Sequence, residues 1–174
     1  MSLLRIDYVV AKGAAFAAAI LVLILIPQAV IFVGLVISNA DVVAALGDNI
    51  GSIAPVLAVA ATIAALLGSI GLAISAFTPR RAYATAAIMA VFIVPGVVAQ
   101  LVIQSTSSPL TRYIVLLAPG SVIDGVNAFL FGTRPGAREV VRADLAGGLY
   151  VAAALAIAVV LIVVLARRYQ RIEA

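Results

Sequence analysis

The sequence contains neither cysteine nor histidine. Their absence excludes disulfides, thiol chemistry, most zinc sites and acid–base catalysis by histidine. Charged residues are also few, at 10% of the 174 residues, whereas soluble domains carry about 25%. Because 66% of the residues are hydrophobic and the mean hydropathy is +1.28, the composition predicts an integral membrane protein with no separate soluble domain.

Other absences argue against an enzyme. No charged residue lies inside the long apolar segments, so a proton relay within this chain alone is not expected. There is no phosphate-binding loop of the G-x-x-x-x-G-K-[ST] type, and Lys12 is the only lysine. The acidic residues are scattered over the connecting segments. We therefore expect no catalytic site, no metal site and no cofactor held by this chain.

Four apolar segments are long enough to cross a bilayer core of about 30 Å at about 1.5 Å per residue. The predicted spans are residues 13–37, 53–77, 82–103 and 145–166. A shorter outer helix is predicted over residues 121–131, as an interfacial or re-entrant segment. The predicted fold class is an all-α membrane protein forming a single transmembrane domain over residues 1–174, with residues 38–52 and 132–144 as loops.

The outer helix is not predicted as a fifth span. Residues 113–132 are apolar, but Pro119 and Gly120 divide them into pieces too short to cross a bilayer. Ser121 and Asp124 have the spacing of a capping box, with aspartate in place of glutamate. The helix is therefore expected to begin at Ser121.

The turn between the second and third spans orients the chain. It consists of Thr78, Pro79, Arg80 and Arg81. Thr78 is expected to cap the following helix, with Pro79 at its first position. Two arginines at a helix N-terminus oppose the helix dipole, so the pair has another role. The pair sets the topology by lying on the cytoplasmic side, contacts a partner protein, or does both.

The distribution of basic residues predicts that both termini are cytoplasmic. With the turn inside, most of the eleven basic residues lie on the inner side. The inner set is Arg5, Lys12, Arg80, Arg81, Arg167, Arg168 and Arg171. This topology explains the net charge of +4 better than nucleic-acid binding does. The preference for arginine over lysine, with abundant Ala and Val, is typical of a GC-rich bacterial genome, so the expected location is the bacterial cytoplasmic membrane, as a multi-pass protein.

Three glutamines stand out in or next to the spans. Gln28 follows Pro27 near the middle of the first span. It either bonds the carbonyl that the proline leaves unpaired or faces a transport pathway. Gln100 and Gln104 lie on one face of the third span, which is expected to face the bundle because amides avoid lipid. Whether this face contacts a substrate stays open at this stage.

The second span carries a stripe of small residues at spacings of three and four. Its members are Ala60, Ala64, Gly68, Gly71 and Ser75. Such a pattern lets membrane helices approach closely, so this stripe is expected to pack against a neighbouring helix. The last span is almost purely Ala, Val, Leu and Ile and is expected to face lipid on most sides.

The order of short motifs resembles the permease subunit of type-2 ABC exporters. Arg5, Tyr8 and Lys12 are similar to the R-x-x-Y-x-x-x-K lead into that family's third span. Residues 71–83 resemble its S-x-x-T-x-R-R turn between the fourth and fifth spans. Residues 117–121 and 127–132 resemble its re-entrant outer segment before the final span.

This resemblance implies a function and partners. Arg5, Asp7, Tyr8 and Lys12 would lie at the surface that couples to a separate ABC ATPase subunit, which binds the ATP. The family's permeases usually have six spans, so this chain corresponds to the last four. Its further partner would be a second permease copy or the missing two-span segment, within the lipid bilayer. The alternatives are a non-transporting four-helix scaffold or assembly protein and a small secondary carrier or channel.

Overall fold

The computed structural model describes residues 5–78, 80–105 and 108–171, without the side chains of residues 5–10, 12, 81 and 169–171. Within these ranges every regular element is a helix. The elements are α1 (Arg5–Ile37), α2 (Val42–Ile50), α3 (Ile53–Phe77), α4 (Arg81–Ser105), a 3₁₀ segment (Thr111–Leu117), α5 (Pro119–Phe131), α6 (Arg138–Ala143) and α7 (Gly147–Arg171).

Four of these helices are long and apolar enough to cross a membrane. The candidate spans are Gly13–Ile37, Ile53–Phe77, Ala82–Ser105 and Gly147–Arg168. The prediction of an all-helical chain with four such helices is confirmed for the described residues, and it indicates a multi-pass membrane protein. The helix α4 contains Pro95 and continues through it.

The helix α3 lies at the centre of the bundle. In its most apolar stretch 44% of the residues are buried, against 6% in the corresponding stretches of α1 and α4. It contacts α7, α1, α5 and α4. The largest fully buried side chains are Leu66, Val115, Val122 and Val126. The core therefore lies around α5, which packs against both α3 and the 3₁₀ segment, while α1 and α4 bury few residues.

Contacts between helix termini define the two ends of the bundle. Gly13, near the start of α1, lies next to Leu72, near the end of α3. At the same end the Arg168 guanidinium of α7 lies 4.1 Å from the centre of the Phe77 ring. We call this the Arg80 end, after the turn that it contains, and the opposite end, with α2, the Asp48 end. This grouping agrees with the basic-residue pattern, while the side of the membrane stays a prediction.

Two short helices occur where loops were expected. In α2 the Asp41 carboxylate accepts hydrogen bonds from the backbone N–H groups of Val43 and Ala44, at 3.1 and 3.0 Å, and so caps the helix. The helix α6 lies within residues 132–144 and buries Val140 and Ala143. The loop prediction was therefore wrong for both of these stretches.

The helix α7 has a buried seam that its uniform composition did not reveal. The residues of this seam are Tyr150, Ala154, Ala158 and Leu165, each at most 5% exposed. They recur at helical spacing, and α7 contacts α3 and α5. The small side chains of Ala154 and Ala158 let α7 approach its neighbours closely, while the face opposite the seam stays exposed.

Candidate functional site

The segment between the last two candidate spans is a bent pair of helices. The 3₁₀ segment and α5 meet at an angle of 95°. The bend is at Ala118, whose backbone is extended, and Pro119 occupies the first turn of α5. The helix ends at Gly132, with φ of 64°, where the Thr133 N–H bonds the Ala128 carbonyl at 2.9 Å. The expectation that the helix begins at Ser121 was wrong, because a proline in the first turn replaces the capping box.

Ser121 and Asp124 instead tie α5 to the chain that follows it. The Ser121 hydroxyl donates to Glu139 Oε1 at 3.0 Å. The two oxygens of the Asp124 carboxylate accept from the backbone N–H groups of Gly136 and Ala137, at 3.1 and 2.9 Å. Charge-assisted bonds of this kind are stronger than neutral ones. The long connection after α5 is therefore held against it and is not a free loop.

The helices α5 and α7 interlock through two glycines. A Cβ atom at Gly125 would overlap the Tyr150 ring, and a Cβ atom at Gly147 would overlap the Phe129 side chain. Each helix thus supplies one aromatic ring and one glycine to the same contact. The Tyr150 hydroxyl is buried, with no hydrogen-bond partner among the described residues. Sequence reasoning missed Tyr150, Gly125 and Gly147, since nothing in the pattern relates residues that lie so far apart in the chain.

The three glutamines lie on the surface of the four-span unit, and the structure places them in two regions. Gln28 lines a cleft of about 490 Å³ between α1, α2 and α3. Gln100 and Gln104 are exposed on α4, which packs on α3, α5, α6 and the 3₁₀ segment. An amide that faces hydrocarbon loses its hydrogen bonds. The exposed face of α4 is therefore better suited to water or another protein surface than to lipid.

The small-residue stripe of α3 is buried in its first part, contacts α1 in its middle part and is exposed at its end. Ala60 and Ala64 are fully buried. Gly68 and Gly71 lie next to Ile20 and Phe16 of α1. Ser75 is exposed, and its hydroxyl bonds the Leu72 carbonyl of its own helix at 3.0 Å.

The turn at the Arg80 end differs from its expected capping pattern. The Thr78 hydroxyl donates to the Ile74 carbonyl at 2.6 Å, so it closes the end of α3 instead of capping α4. The Arg80 side chain is exposed, and the Arg80 carbonyl accepts the bond from the Ala84 N–H at 3.2 Å. Pro79 lies outside the described residues, as does the Arg81 side chain.

The residues expected to couple to an ATPase are described only in their backbone. Arg5, Asp7, Tyr8 and Lys12 lie on the first turns of α1, at the Arg80 end, and their side chains are outside the described part of the chain. Among the described residues, no group of three acidic side chains is placed to hold a metal ion. No protein-family model matches this chain, and no curated protein or solved structure matches it.

Proposed function

We propose that this chain is the membrane-spanning permease subunit of an ATP-driven exporter, similar to the type-2 ABC class. The observation that carries the proposal is the bent outer segment before the last span. Its α5 half packs against α3, α4 and α7, with Val122 and Val126 at most 1% exposed. The sequence resembles that family's re-entrant segment over residues 117–121 and 127–132, and the packing of α5 among the long helices supports this resemblance.

The lack of ionisable residues within three of the candidate spans supports the same proposal. No Asp, Glu, Lys or Arg lies between Gly13 and Ile37, between Ile53 and Phe77, or between Ala82 and Ser105. Proton-driven carriers use ionisable groups at such depths. A separate ATPase subunit, which binds ATP, supplies the energy in this proposal.

The translocation pathway runs along the exposed face of α4. Gln100 and Gln104 lie on that face, and a second permease copy, or the two-span segment that the resemblance implies, covers it. Amides that line a water-filled pathway keep their hydrogen bonds, whereas amides that face hydrocarbon lose them. Gln28 lines the cleft between α1, α2 and α3, so this proposal does not place it in the pathway.

Orientation in the bacterial cytoplasmic membrane follows from the basic residues, with the Arg80 end in the cytoplasm. The absence of cysteine makes single-cysteine labelling direct. We expect a membrane-impermeant maleimide to label Asp48→Cys in intact cells and Arg80→Cys only after the cells are lysed. The reverse pattern would overturn the orientation.

Co-purification with the ATPase subunit tests the function itself. We expect the wild-type chain to retain an ABC ATPase in mild detergent. Alanine at Arg5, Asp7, Tyr8 and Lys12 together should release it, while alanine at Asp41, at the opposite end, should not. If the wild type retains no ATPase, the proposed function is wrong. If the fourfold variant still retains it, only the coupling surface is wrong.

A scaffold or assembly role is the second candidate. It is favoured by the outward faces of α1 and α4, since only 6% of each apolar stretch is buried and both are open to partner helices. A scaffold predicts a stable membrane complex whose purified components include no ATPase. The same co-purification experiment therefore separates the two candidates.

A further inference from the structure

The contact between α1 and α3 is closed in one half of the bundle and open in the other. Towards the Arg80 end, Phe16 lies next to Gly71 and Ile20 next to Gly68. Towards the Asp48 end, the same two helices border the cleft of about 490 Å³. That volume lies within the range of about 300–1,000 Å³ typical of ligand pockets.

The walls of the cleft are apolar over most of its length. Leu25 and Phe32 of α1 face Val56 and Leu57 of α3, and Phe131 at the end of α5 closes one side. The spacing of the α1 residues places them on one helix face. Since α1 is a candidate span that is almost wholly exposed, this face is open to the hydrocarbon of a bilayer.

The polar groups of the cleft are concentrated at its α2 end. Asn49 and Ser52 line it there. Most of their donors are used within the chain, because one of the two Asn49 amide N–H groups bonds the Ala45 carbonyl at 2.8 Å and the Ser52 hydroxyl bonds the Asn49 carbonyl at 2.6 Å. The side-chain groups that remain are one Asn49 amide N–H and the acceptor oxygens of both residues, so acceptors outnumber donors. This end therefore suits a ligand that donates hydrogen bonds.

The helix α2 indicates where this end lies relative to a membrane. Its exposed apolar side chains are Val42, Val43, Leu46 and Ile50. Asp48 follows Leu46 by two residues and so points about 200° away around the helix. One apolar side opposite a carboxylate is the pattern of a helix lying in the membrane interface. Asn49 and Ser52 are then at headgroup level, and the apolar walls below are at acyl-chain level.

The local charge restricts the headgroup. Residues 38–52 contain Asp41 and Asp48 and no basic residue. This acidic segment favours an ammonium group that donates hydrogen bonds over a net anionic headgroup.

We propose that one membrane phospholipid with a zwitterionic, hydrogen-bond-donating headgroup binds in this cleft. Its headgroup lies beside Asn49 and Ser52 under α2, and one acyl chain lies between α1 and α3. Gln28 lines the deep part of the cleft, nine residues before the end of α1 at Ile37, which is about 14 Å along the helix. The site is independent of the proposed transport function.

The absence of tryptophan provides a direct test. Phe32→Trp places the sole tryptophan in the cleft, and Val30→Trp places it about 200° away around α1, at a position that is 66% exposed. Each variant is reconstituted in phosphatidylcholine vesicles with increasing fractions of brominated-chain phosphatidylethanolamine. Quenching at Val30→Trp should follow the bulk lipid composition. Quenching at Phe32→Trp should reach half its maximum at a bromolipid fraction about fivefold lower, the selectivity that one added hydrogen bond gives.

Three further quenching measurements at Phe32→Trp complete the test. Brominated phosphatidylglycerol should show no enrichment at Phe32→Trp. Adding Asn49→Leu should remove the phosphatidylethanolamine enrichment, and adding Gln28→Leu should retain or increase it. Identical curves for the two tryptophan positions, a preference for the anionic lipid, or loss of enrichment with Gln28→Leu would each overturn the proposal. The last result would indicate a polar solute in the cleft instead of a lipid chain.

Discussion

The contact between α5 and α7 and the contact between α1 and α3 use glycine in different ways. At α5–α7, Gly125 and Gly147 each lie directly under an aromatic side chain of the other helix. At α1–α3, Gly71 meets only the edge of the Phe16 ring, and the helices border an open cleft further along. The two contacts therefore differ in how far the side chain opposite the glycine can move. We call the α5–α7 contact the locked contact, because each helix places an aromatic side chain over a glycine of the other. We call the α1–α3 contact the loose contact, because the Phe16 side chain can rotate away from Gly71.

The largest effect is expected at the locked contact. Alanine at Gly125 or Gly147 would place a methyl group against ring or Cβ atoms close to the partner backbone, which cannot swing away. Overpacking of this kind costs about 1–3 kcal/mol. Unfolding free energies in mixed micelles should fall by that amount for each variant. Gly148→Ala is the matched control, since no atom lies within 4 Å of its added Cβ. An equal loss in the control would show that the aromatic contacts are not responsible.

The second-largest effect is expected for the connection between α5 and α7, which Asp124 holds against α5. Asp124→Ala leaves the N–H groups of Gly136 and Ala137 without their acceptor, which should cost about 1–2 kcal/mol. Hydrogen exchange at these two amides should accelerate. Asp124→Asn, which keeps one acceptor oxygen, should cost less, and Asp48→Ala on the exposed side of α2 should change neither quantity. Unchanged exchange in Asp124→Ala would contradict the proposed tie.

A smaller effect is expected at the loose contact. The Cβ of Gly71→Ala would lie 2.8 Å from Phe16 Cε1 and 3.1 Å from Cζ, at the far end of a rotatable side chain. Alanine also favours the helix by about 1 kcal/mol, so the variant should stay within about 1 kcal/mol of the wild type. Gly34→Ala, with open space around it, should gain stability. If Gly71→Ala cost as much as Gly125→Ala, the distinction between the two contacts would fail.

The smallest effect is expected where α3 and α7 meet at the Arg80 end. Arg168→Gln removes the cation that lies 4.1 Å from the Phe77 ring centre, a contact worth about 0.5–1 kcal/mol at an exposed site. Phe77→Leu should cost a similar amount, and the double variant should cost less than the two losses added together. Additive losses would show that the pair does not interact.

Hydropathy predicted the long helices well for a physical reason. The thickness of a bilayer imposes a minimum length on an apolar run, so composition alone places Gly13–Ile37 and Ile53–Phe77 within the chain. Short helices have no such constraint. The helix α6 has six residues and is stable only against its neighbours, because helices this short are marginal alone. It was therefore missed.

The candidate site also contains features that the sequence reveals and features that depend on how the helices pack. The glutamines and the small-residue stripe of α3 were visible because each lies on a single helix, where spacing indicates the shared face. The place of Gln28 in a cleft separate from Gln100 depends on how the helices pack, and so does the use of Asp124 as an acceptor for Gly136 and Ala137.

The sequence by itself determined the helical, membrane-spanning class of the protein and the number of helices long enough to span a membrane. Both of these follow from local composition and from the bilayer as solvent. The tertiary structure alone decided that α5 lies in the core, that Tyr150 and Phe129 press on Gly125 and Gly147, and that α1 and α3 separate into a cleft. These depend on surfaces from distant parts of the chain fitting together, and no local pattern encodes that fit.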